Sequence, residues 1–366
     1  MGTGTCDRSS RSPRLRRPHP RQGLGLGQSR RCPRRRRRTS FLRARGCPCT
    51  GRGRRLPFQP ASGRRHVLAQ PARSAGRAAI HRDQPFDNAD DKRRSGWLRI
   101  VGKDGKASSH DGNFAVDTDS TLIQGGGDIA RWSVGGERGR LHLGGMLGYG
   151  KADSDTTAVG NLAHAKGKSE GWSIGAYGTW YQNDENKLGW YTDVWGTYGW
   201  FKNEVQGDFL PEVKYDAKAL TLSGEAGYAM KLGTSDWVVE PQAQLVYVKY
   251  SEDDITEPNG TRIDGGEGSG WISRLGVRTH RTWVREDGRK LQPYLTLNWW
   301  HDNLDNAAAF NQVVLGSMYP SNRYEVKLGL NADVGKGWTG WGNLGYQWGS
   351  QDYRNTTVRL GAKYTW

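Results

Sequence analysis

The last twelve residues, NTTVRLGAKYTW (355–366), decide the fold. Read as an extended strand, they alternate between two faces. One face carries Val358, Leu360, Ala362, Tyr364 and Trp366, and the other carries Thr357, Arg359, Gly361, Lys363 and Thr365. A strand of about ten residues that is apolar on one side, polar on the other and aromatic at its end is typical of a wall between lipid and a watery lumen. A strand of a soluble β-sandwich fits this single segment equally well.

Composition divides the chain at about residue 95. All 16 Trp and all 15 Tyr lie from Trp97 onward, whereas the 4 Cys lie before it, at Cys6, Cys32, Cys47 and Cys49. Residues 1–95 contain 25 Arg and 1 Lys against 5 Asp, so the overall net charge of +17 belongs to this segment and the remaining residues are net acidic. The basic balance therefore does not indicate a nucleic-acid partner for the main domain.

Residues 1–80 are rich in Arg, Pro and Gly, with few apolar residues and no period, which predicts a disordered segment. We interpret residues 81–95 as the remnant of a linker. No apolar run of signal-peptide length lies in the first 30 residues, so we expect residues 1–80 to be mistranslated, for instance from a shifted reading frame. The cysteines are not spaced with histidines as metal ligands, and we expect neither metal nor cofactor.

Residues 96–366 predict an all-β domain of twelve strands. Segments of about 9 to 13 residues with alternating character are separated by polar connections. They are approximately 96–103, 119–128, 140–150, 171–181, 190–201, 217–231, 237–249, 270–282, 291–301, 323–334, 338–348 and 356–366. A mean hydropathy of −0.81 does not exclude a membrane barrel, because such a barrel spreads its lipid-facing residues over alternate positions.

Polar side chains share one face of several predicted strands. Twelve strands make a tube too wide for side chains alone to fill, since about eight strands already give an interior just wide enough. We therefore expect a transmembrane antiparallel β-barrel with an apolar outside and a polar lumen. The predicted lumen-lining residues are Glu225, Glu240, Gln242, Gln244, Arg274, Arg278, Glu325 and Lys327.

Connections and aromatic residues support this orientation. Short turns such as 135–139 follow the even-numbered strands, whereas long polar loops, at 152–170, 251–269 and 302–322, follow odd-numbered ones. Outer-membrane barrels show such an alternation of short periplasmic turns and longer surface loops. Aromatic residues near the strand ends predict interfacial girdles that contain Trp180, Trp190, Trp200, Trp299 and Trp300.

Several stretches together resemble one known family. They include LHLGGMLGYG (141–150), YGTWYQND (177–184), EPQAQLVYVKY (240–250), SRLGVRT (273–279), LQPYLTLNWWHD (291–302) and the terminal KYTW. Over residues 96–366 the chain is similar to the C-terminal translocator barrel of autotransporters, the type V secretion proteins, in their adhesin-like branch. The resemblance implies an outer-membrane barrel of a Gram-negative bacterium that anchors a passenger and is the conduit for its secretion.

The resemblance also implies partners. These are outer-membrane lipid, periplasmic chaperones, the barrel assembly machinery and, in the lumen, the protein's own passenger or linker. By position, the assembly signal would be the terminal residues Val358, Leu360, Ala362, Tyr364 and Trp366. Because a passenger and a signal peptide are not recognisable before residue 96, we interpret the sequence as a truncated autotransporter.

We do not predict an enzyme. The eight histidines are scattered, without metal-ligand spacing or a nucleophile motif. Two alternatives stay open, because fold alone does not fix function. One is an outer-membrane protease or phospholipase, whose sign would be a cluster of Ser, His or Asp near a strand end. The other is a small porin, against which the number of strands argues.

Overall fold

The computed structural model describes residues 94–109, 112–158, 160, 164–208, 211–256, 262–263, 267–303, 308–310, 313–315 and 320–366. The chain divides into two units, Met1–Arg54 and Arg55–Trp366, and all described residues belong to the second. The predicted disordered segment 1–80 and all but the last two residues of the predicted linker remnant 81–95 lie outside the described residues. Among the described residues, no helix is long and apolar enough to cross a membrane.

Twelve long antiparallel strands close into a barrel. Each pairs with its neighbours in the chain, and the first also pairs with the last, with Ser95 opposite Thr365 and Ile100 opposite Leu360. The strands are β1 Ser95–Ser108, β2 Phe114–Ser133, β3 Arg140–Ala158, β4 His164–Tyr181, β5 Gly189–Gly207, β6 Val213–Lys231, β7 Trp237–Glu252, β8 Glu267–Arg281, β9 Lys290–Asp302, β10 Asn322–Gly335, β11 Trp338–Gly349 and β12 Arg354–Thr365. The predicted all-β, twelve-stranded antiparallel barrel is confirmed.

The two ends of the barrel differ. Five connections, 134–139, 182–188, 232–236, 282–289 and 336–337, lie at the end where β1 begins and β12 finishes, which we call the turn end. The tightest of them joins β10 to β11, and Gly335, Lys336 and Gly337 all have positive φ, at 89°, 55° and 84°. A Cβ at Gly337 would lie 2.5 Å from the carbonyl oxygen of Thr365, so this turn requires glycine there.

We call the opposite end the loop end. One prediction about it is wrong. The predicted loop 152–170 is mostly strand, because β3 and β4 continue to Ala158 and from His164 and leave only residues 159–163 between them. Small buried residues alternate there with exposed charged ones, so a two-residue period persists without large apolar side chains. The other two long connections, 253–266 and 303–321, each contain a short strand pair, Ile255–Thr256 with Arg262–Ile263 and Ala308–Phe310 with Val313–Leu315.

The middle of the wall is apolar outside and polar inside. Each strand exposes at least one large aliphatic side chain on the outer surface. They are Ile100, Ile123, Leu147, Ile174, Val194, Leu222, Leu245, Leu275, Leu297, Leu328, Leu344 and Leu360. The residues that alternate with them are buried and largely polar, for example Thr221, Ser223 and Glu225 on β6. A soluble barrel would carry the reverse arrangement.

Aromatic rings on the inner face lie over glycines. In seven cross-strand pairs among the described residues, an inward aromatic residue stands directly opposite a glycine whose added Cβ would lie within 3 Å of its ring. The pairs are Trp97–Gly126, Tyr177–Gly144, Tyr191–Gly227, Phe201–Gly171, Tyr250–Gly268, Tyr294–Gly329 and Trp341–Gly361. The missing side chain leaves room for the ring to lie against the wall, which fixes the register of each pair.

Two glycines of β6 provide a matched test of this packing. In Gly227→Ala the new Cβ would lie 2.3 Å from Cε1 of Tyr191, so the ring must move, and we expect a loss of about 1–3 kcal/mol in the free energy of unfolding. Gly224→Ala adds the same atom where nothing lies within 4 Å and should change little. For both variants, the folded fraction is read from heat-modifiable gel mobility at increasing urea concentrations. Equal losses would contradict the role of the aromatic ring.

Candidate functional site

A polar network crosses the inner wall from β5 to β10, with Arg274 at its centre. The guanidinium of Arg274 lies 2.8 Å from a carboxylate oxygen of Glu225 and donates to Gln244 at 2.9 Å, Gln242 at 2.8 Å and Asn298 at 2.9 Å. Both members of the Arg274–Glu225 ion pair are almost fully buried. A buried charge needs such complete pairing, because removing it from water costs several kcal/mol.

The network continues on both sides of Arg274. The Tyr191 hydroxyl donates to Glu225 at 2.8 Å on one side. On the other, the amide of Asn298 donates to Glu325 at 2.6 Å, and the indole of Trp300 donates to the same carboxylate oxygen at 3.2 Å. The wall therefore presents a continuous band of hydrogen-bonding groups rather than isolated charges.

The structure places all eight predicted lumen-lining residues on the inner face, where they are buried. Hydrogen bonds and one ion pair link six of them: Glu225, Glu240, Gln242, Gln244, Arg274 and Glu325. The guanidinium of Arg278 lies 4.0 Å from the ring centre of Tyr294. Sequence reasoning missed Tyr191 and Asn298, although both alternate along their strands with residues of the outer surface.

Aromatic residues form two outer belts. Trp180 and Trp190 lie at the turn end, and Trp200 and Trp299 lie toward the loop end. Trp200 stands ten positions after Trp190 along β5, which is about 33 Å of strand. At a tilt of about 40°, this length gives roughly the 25 Å apolar height of an outer-membrane barrel. The predicted place of Trp300 in a girdle is wrong, because it points inward, with its ring 5.6 Å from the guanidinium of Arg274.

The apolar face of the terminal strand points outward, and the strand finishes at the turn end. Val358, Leu360, Tyr364 and Trp366 are exposed on its outer face, and Ala362 shares that face. The rings of Tyr364 and Trp366 stack at 5.9 Å. The backbone of Trp366 exchanges hydrogen bonds of 3.0 and 3.1 Å with Arg94, so the last residue is held beside the start of β1.

A second buried polar cluster lies at the turn end, around His142 of β3. The imidazole Nε2 lies 2.9 Å from Asp184, whose own backbone N–H donates to the carbonyl of Arg138 at 2.9 Å. Burial raises the pKa of Asp184, but the hydrogen bond from His142 and the positive charge of Lys187 outweigh burial, and the pKa lies below its ordinary value. The β4–β5 turn is thereby folded against the inner wall.

Asp128 of β2 lies 3.8 Å from Nδ1 of His142 and accepts three hydrogen bonds from other residues. They come from the hydroxyl of Ser95 at 2.8 Å, the hydroxyl of Tyr177 at 2.9 Å and the guanidinium of Arg131 at 2.9 Å. The sequence did not reveal this group of Ser, His and Asp side chains, because its members come from different strands and one turn. Among the described residues, no group of three or more His, Cys, Asp or Glu is placed to hold a metal ion.

Polarity reverses above the loop-end belt, where β3 to β6 continue beyond it. The outer face there carries ion pairs, including Lys214–Glu204 at 2.8 Å and Lys168–Glu204 at 3.9 Å. Hydrogen bonds to Glu204 and Glu212 raise the pKa of Lys214. The inner face carries an apolar cluster, which we call the loop-end cluster, of Phe201, Val205, Val213, Tyr215, Ala217, Ala219 and Tyr250.

Comparisons with known proteins agree with this geometry. A family profile described as "Autotransporter beta-domain" matches residues 96–345. The autotransporter adhesin AIDA-I of Escherichia coli is 30% identical over 76% of this chain and 23% of its own length, and YdeU of Escherichia coli strain K12 is 37% identical over 74% and 60%. The chain thus spans less than two thirds of the length of each of these relatives.

Solved structures show the same likeness. The transport unit of AIDA-I from Escherichia coli matches with a TM-score of 0.68 and 26% identity, over 84% of this chain and 99% of that one. The β domain of the Bordetella autotransporter BrkA matches with a TM-score of 0.59 and 25% identity, over 75% and 99%. Both matches extend over nearly the whole of the other chain, so the similarity concerns a complete barrel.

The buried ion pair gives a prediction about stability. Arg274→Met leaves Glu225 buried without its cation, and we expect the free energy of unfolding to fall by about 3–5 kcal/mol. Adding Glu225→Gln removes the unpaired charge and should restore part of the loss. Urea titration of gel mobility measures both, with Lys214→Met on the exposed surface as a control that should change little. No recovery in the double variant would contradict the pairing.

The pKa of Asp184 gives a prediction about pH. Because it lies below its ordinary value near 3.8 in the folded state, ionised Asp184 stabilises the barrel at neutral pH, and this contribution is lost as pH falls below about 4. The variant Asp184→Asn should therefore be less stable than the unaltered chain at pH 7, and the difference should shrink toward pH 3.

The control for this experiment is Glu185→Gln, which changes an exposed carboxylate of the same turn. The denaturant midpoint is measured at several pH values for the unaltered chain and for both variants. A difference between the unaltered chain and Asp184→Asn that does not vary with pH would contradict the assignment.

Proposed function

The chain belongs to the autotransporter family, in its adhesin-like branch, and from this premise we propose that its barrel anchors and exports a passenger joined ahead of β1. Autotransporter β-domains are outer-membrane domains of Gram-negative bacteria, and they are translocator barrels. The passenger and its adhesive activity are the parts that we infer.

The position of β1 carries the proposal. Ser95 lies at the turn end, beside the terminal strand, whereas the loop end bears the longest connections. With short turns in the periplasm and longer loops at the cell surface, a segment joined before Ser95 starts on the periplasmic side. Since the barrel wall is closed, the lumen is the direct route from there to the surface.

The inner wall suits an extended chain in transit. Its band of hydrogen-bonding groups around Arg274 can exchange bonds with a polypeptide backbone, and the charge of Arg274 is paired with that of Glu225 within the wall. A passing chain would therefore meet polar groups there without an unpaired arginine that holds it. This combination favours passage over tight binding.

We further propose that the terminal strand is the assembly signal. Its outer face, with Val358, Leu360, Ala362, Tyr364 and Trp366, would be recognised by periplasmic chaperones and by the barrel assembly machinery before it closes against β1. The exposed Trp366 ring and its stacking on Tyr364 support this role, because an apolar, aromatic terminal face is available for recognition before lipid covers it.

We do not propose a catalytic function for the cluster around His142. A nucleophile needs a general base within hydrogen-bonding reach. Ser95 donates to Asp128 rather than to His142, and the Nε2 of His142 faces Asp184. The arrangement is that of a structural clamp that joins β1, β2, β3 and the β4–β5 turn.

Export of a reporter tests the translocation proposal. The full chain is given a bacterial signal peptide and an epitope-bearing reporter segment ahead of its first residue, and protease is added to intact cells. We expect the epitope to be cleaved from the surface while the barrel shows heat-modifiable gel mobility. An assembled barrel whose epitope stays protected until the outer membrane is permeabilised would overturn the proposal.

The assembly signal is tested in the same strain. Deleting Trp366 should abolish heat-modifiable mobility, because the terminal aromatic residue and its backbone bonds with Arg94 are lost. Trp366→Phe keeps an aromatic terminus and those backbone bonds, and should assemble nearly as well as the unaltered chain. Normal assembly of the deletion would remove Trp366 from the proposed signal.

A further inference from the structure

Asn203 of β5 is an exception on the inner wall. It lies in register with Ser169 of β4 on one side and Tyr215 of β6 on the other. Asn203 is 2% exposed and Ser169 is 0% exposed. Within the part of the chain that the structure describes, neither the amide nitrogen nor the amide oxygen of Asn203 has a hydrogen-bond partner, and neither has the hydroxyl of Ser169.

The surroundings of this pair are apolar. Asn203 lies between Phe201 and Val205 along β5, within the loop-end cluster, and Ala152 stands opposite Ser169 on the far side. By contrast, Asn298 and Asn343 on the same inner wall are hydrogen-bonded. A buried amide or hydroxyl without a hydrogen-bond partner is unfavourable, because burial has removed the water that would otherwise bind it.

The chemistry of the pair indicates what would satisfy it. A carboxamide offers an N–H donor and a C=O acceptor side by side, and a main-chain peptide group offers the same two functions in reverse. A serine hydroxyl on the neighbouring strand, whose backbone runs about 4.8 Å away, adds a further donor or acceptor. Apolar walls around these groups would make each hydrogen bond stronger than one formed in water.

We propose that Asn203 and Ser169 form a subsite that binds a main-chain peptide group of the polypeptide passing through the lumen. This inference rests on the proposed translocation and adds a point of contact at the loop end. Because every passenger residue except proline carries the same N–H and C=O, the subsite accepts an extended segment with little regard to sequence. Because Asn203 is 2% exposed and Ser169 is 0% exposed, side chains of the loop-end cluster must shift to admit the peptide group, and they then shield the hydrogen bonds from water.

Replacing the amide separates a binding role from a structural one. In Asn203→Leu, carried by the reporter-bearing full chain, we expect the half-time of surface appearance in a pulse-chase to lengthen about threefold to tenfold, as for the loss of one hydrogen bond. The denaturant midpoint of the barrel should stay unchanged or rise, because an unpaired buried amide is replaced by an apolar group. A lower midpoint, or export at the unaltered rate, would overturn the proposal.

The matched control is Asn355→Leu. Asn355 is also a buried inner-face asparagine near the loop end, on β12, but its oxygen accepts a hydrogen bond from Thr357 at 3.0 Å. This variant should lower the midpoint and leave the export half-time per assembled barrel unchanged. If the unaltered chain exports no reporter, the proposed function fails; if it exports and Asn203→Leu exports at the same rate, only the subsite fails.

Discussion

The pairing of β1 with β12 is the interaction on which the rest of the structure depends. In hydrocarbon there is no water to satisfy backbone N–H and C=O groups, so a sheet can cross a membrane only when it has no free edge. Twelve residue pairs, from Ser95 with Thr365 to Lys106 with Arg354, join the two ends of the sheet. An exposed apolar surface is stable in this fold only because closure has first removed the edge.

Closure also fixes the composition of the two faces. A residue that turns inward leaves the lipid but meets the opposite wall and its neighbours, so charge is tolerated there only with partners, as for Arg274 between Glu225 and Asn298. Inward aromatic rings need space against the wall, and glycines on the next strand provide it because they have no side chain. The inner face thus accommodates charged side chains by pairing them and aromatic side chains by placing them over glycines.

Alternation along the chain predicted the strands, their number and the face of most residues, because a two-residue period is a local property. It failed at 152–158, where small residues such as Ala152 and Ser154 give the period too little contrast, and at Trp300, whose neighbour Trp299 is the outward member of the pair. Contacts such as His142 with Asp184, and the missing partners of Asn203, depend on register between distant segments, which composition does not encode.

The unequal lengths of the strands give the barrel an oblique rim. β3 to β6 contain 18 to 19 residues each, whereas β10 to β12 contain 12 to 14. At about 3.3 Å per residue, the strands of one wall are longer by roughly 13–23 Å. In the proposed export, an emerging polypeptide would pass the ends of strands β10 to β12 while β3 to β6 still flank it. The long strands β3 to β6 would then guide the chain on one side only.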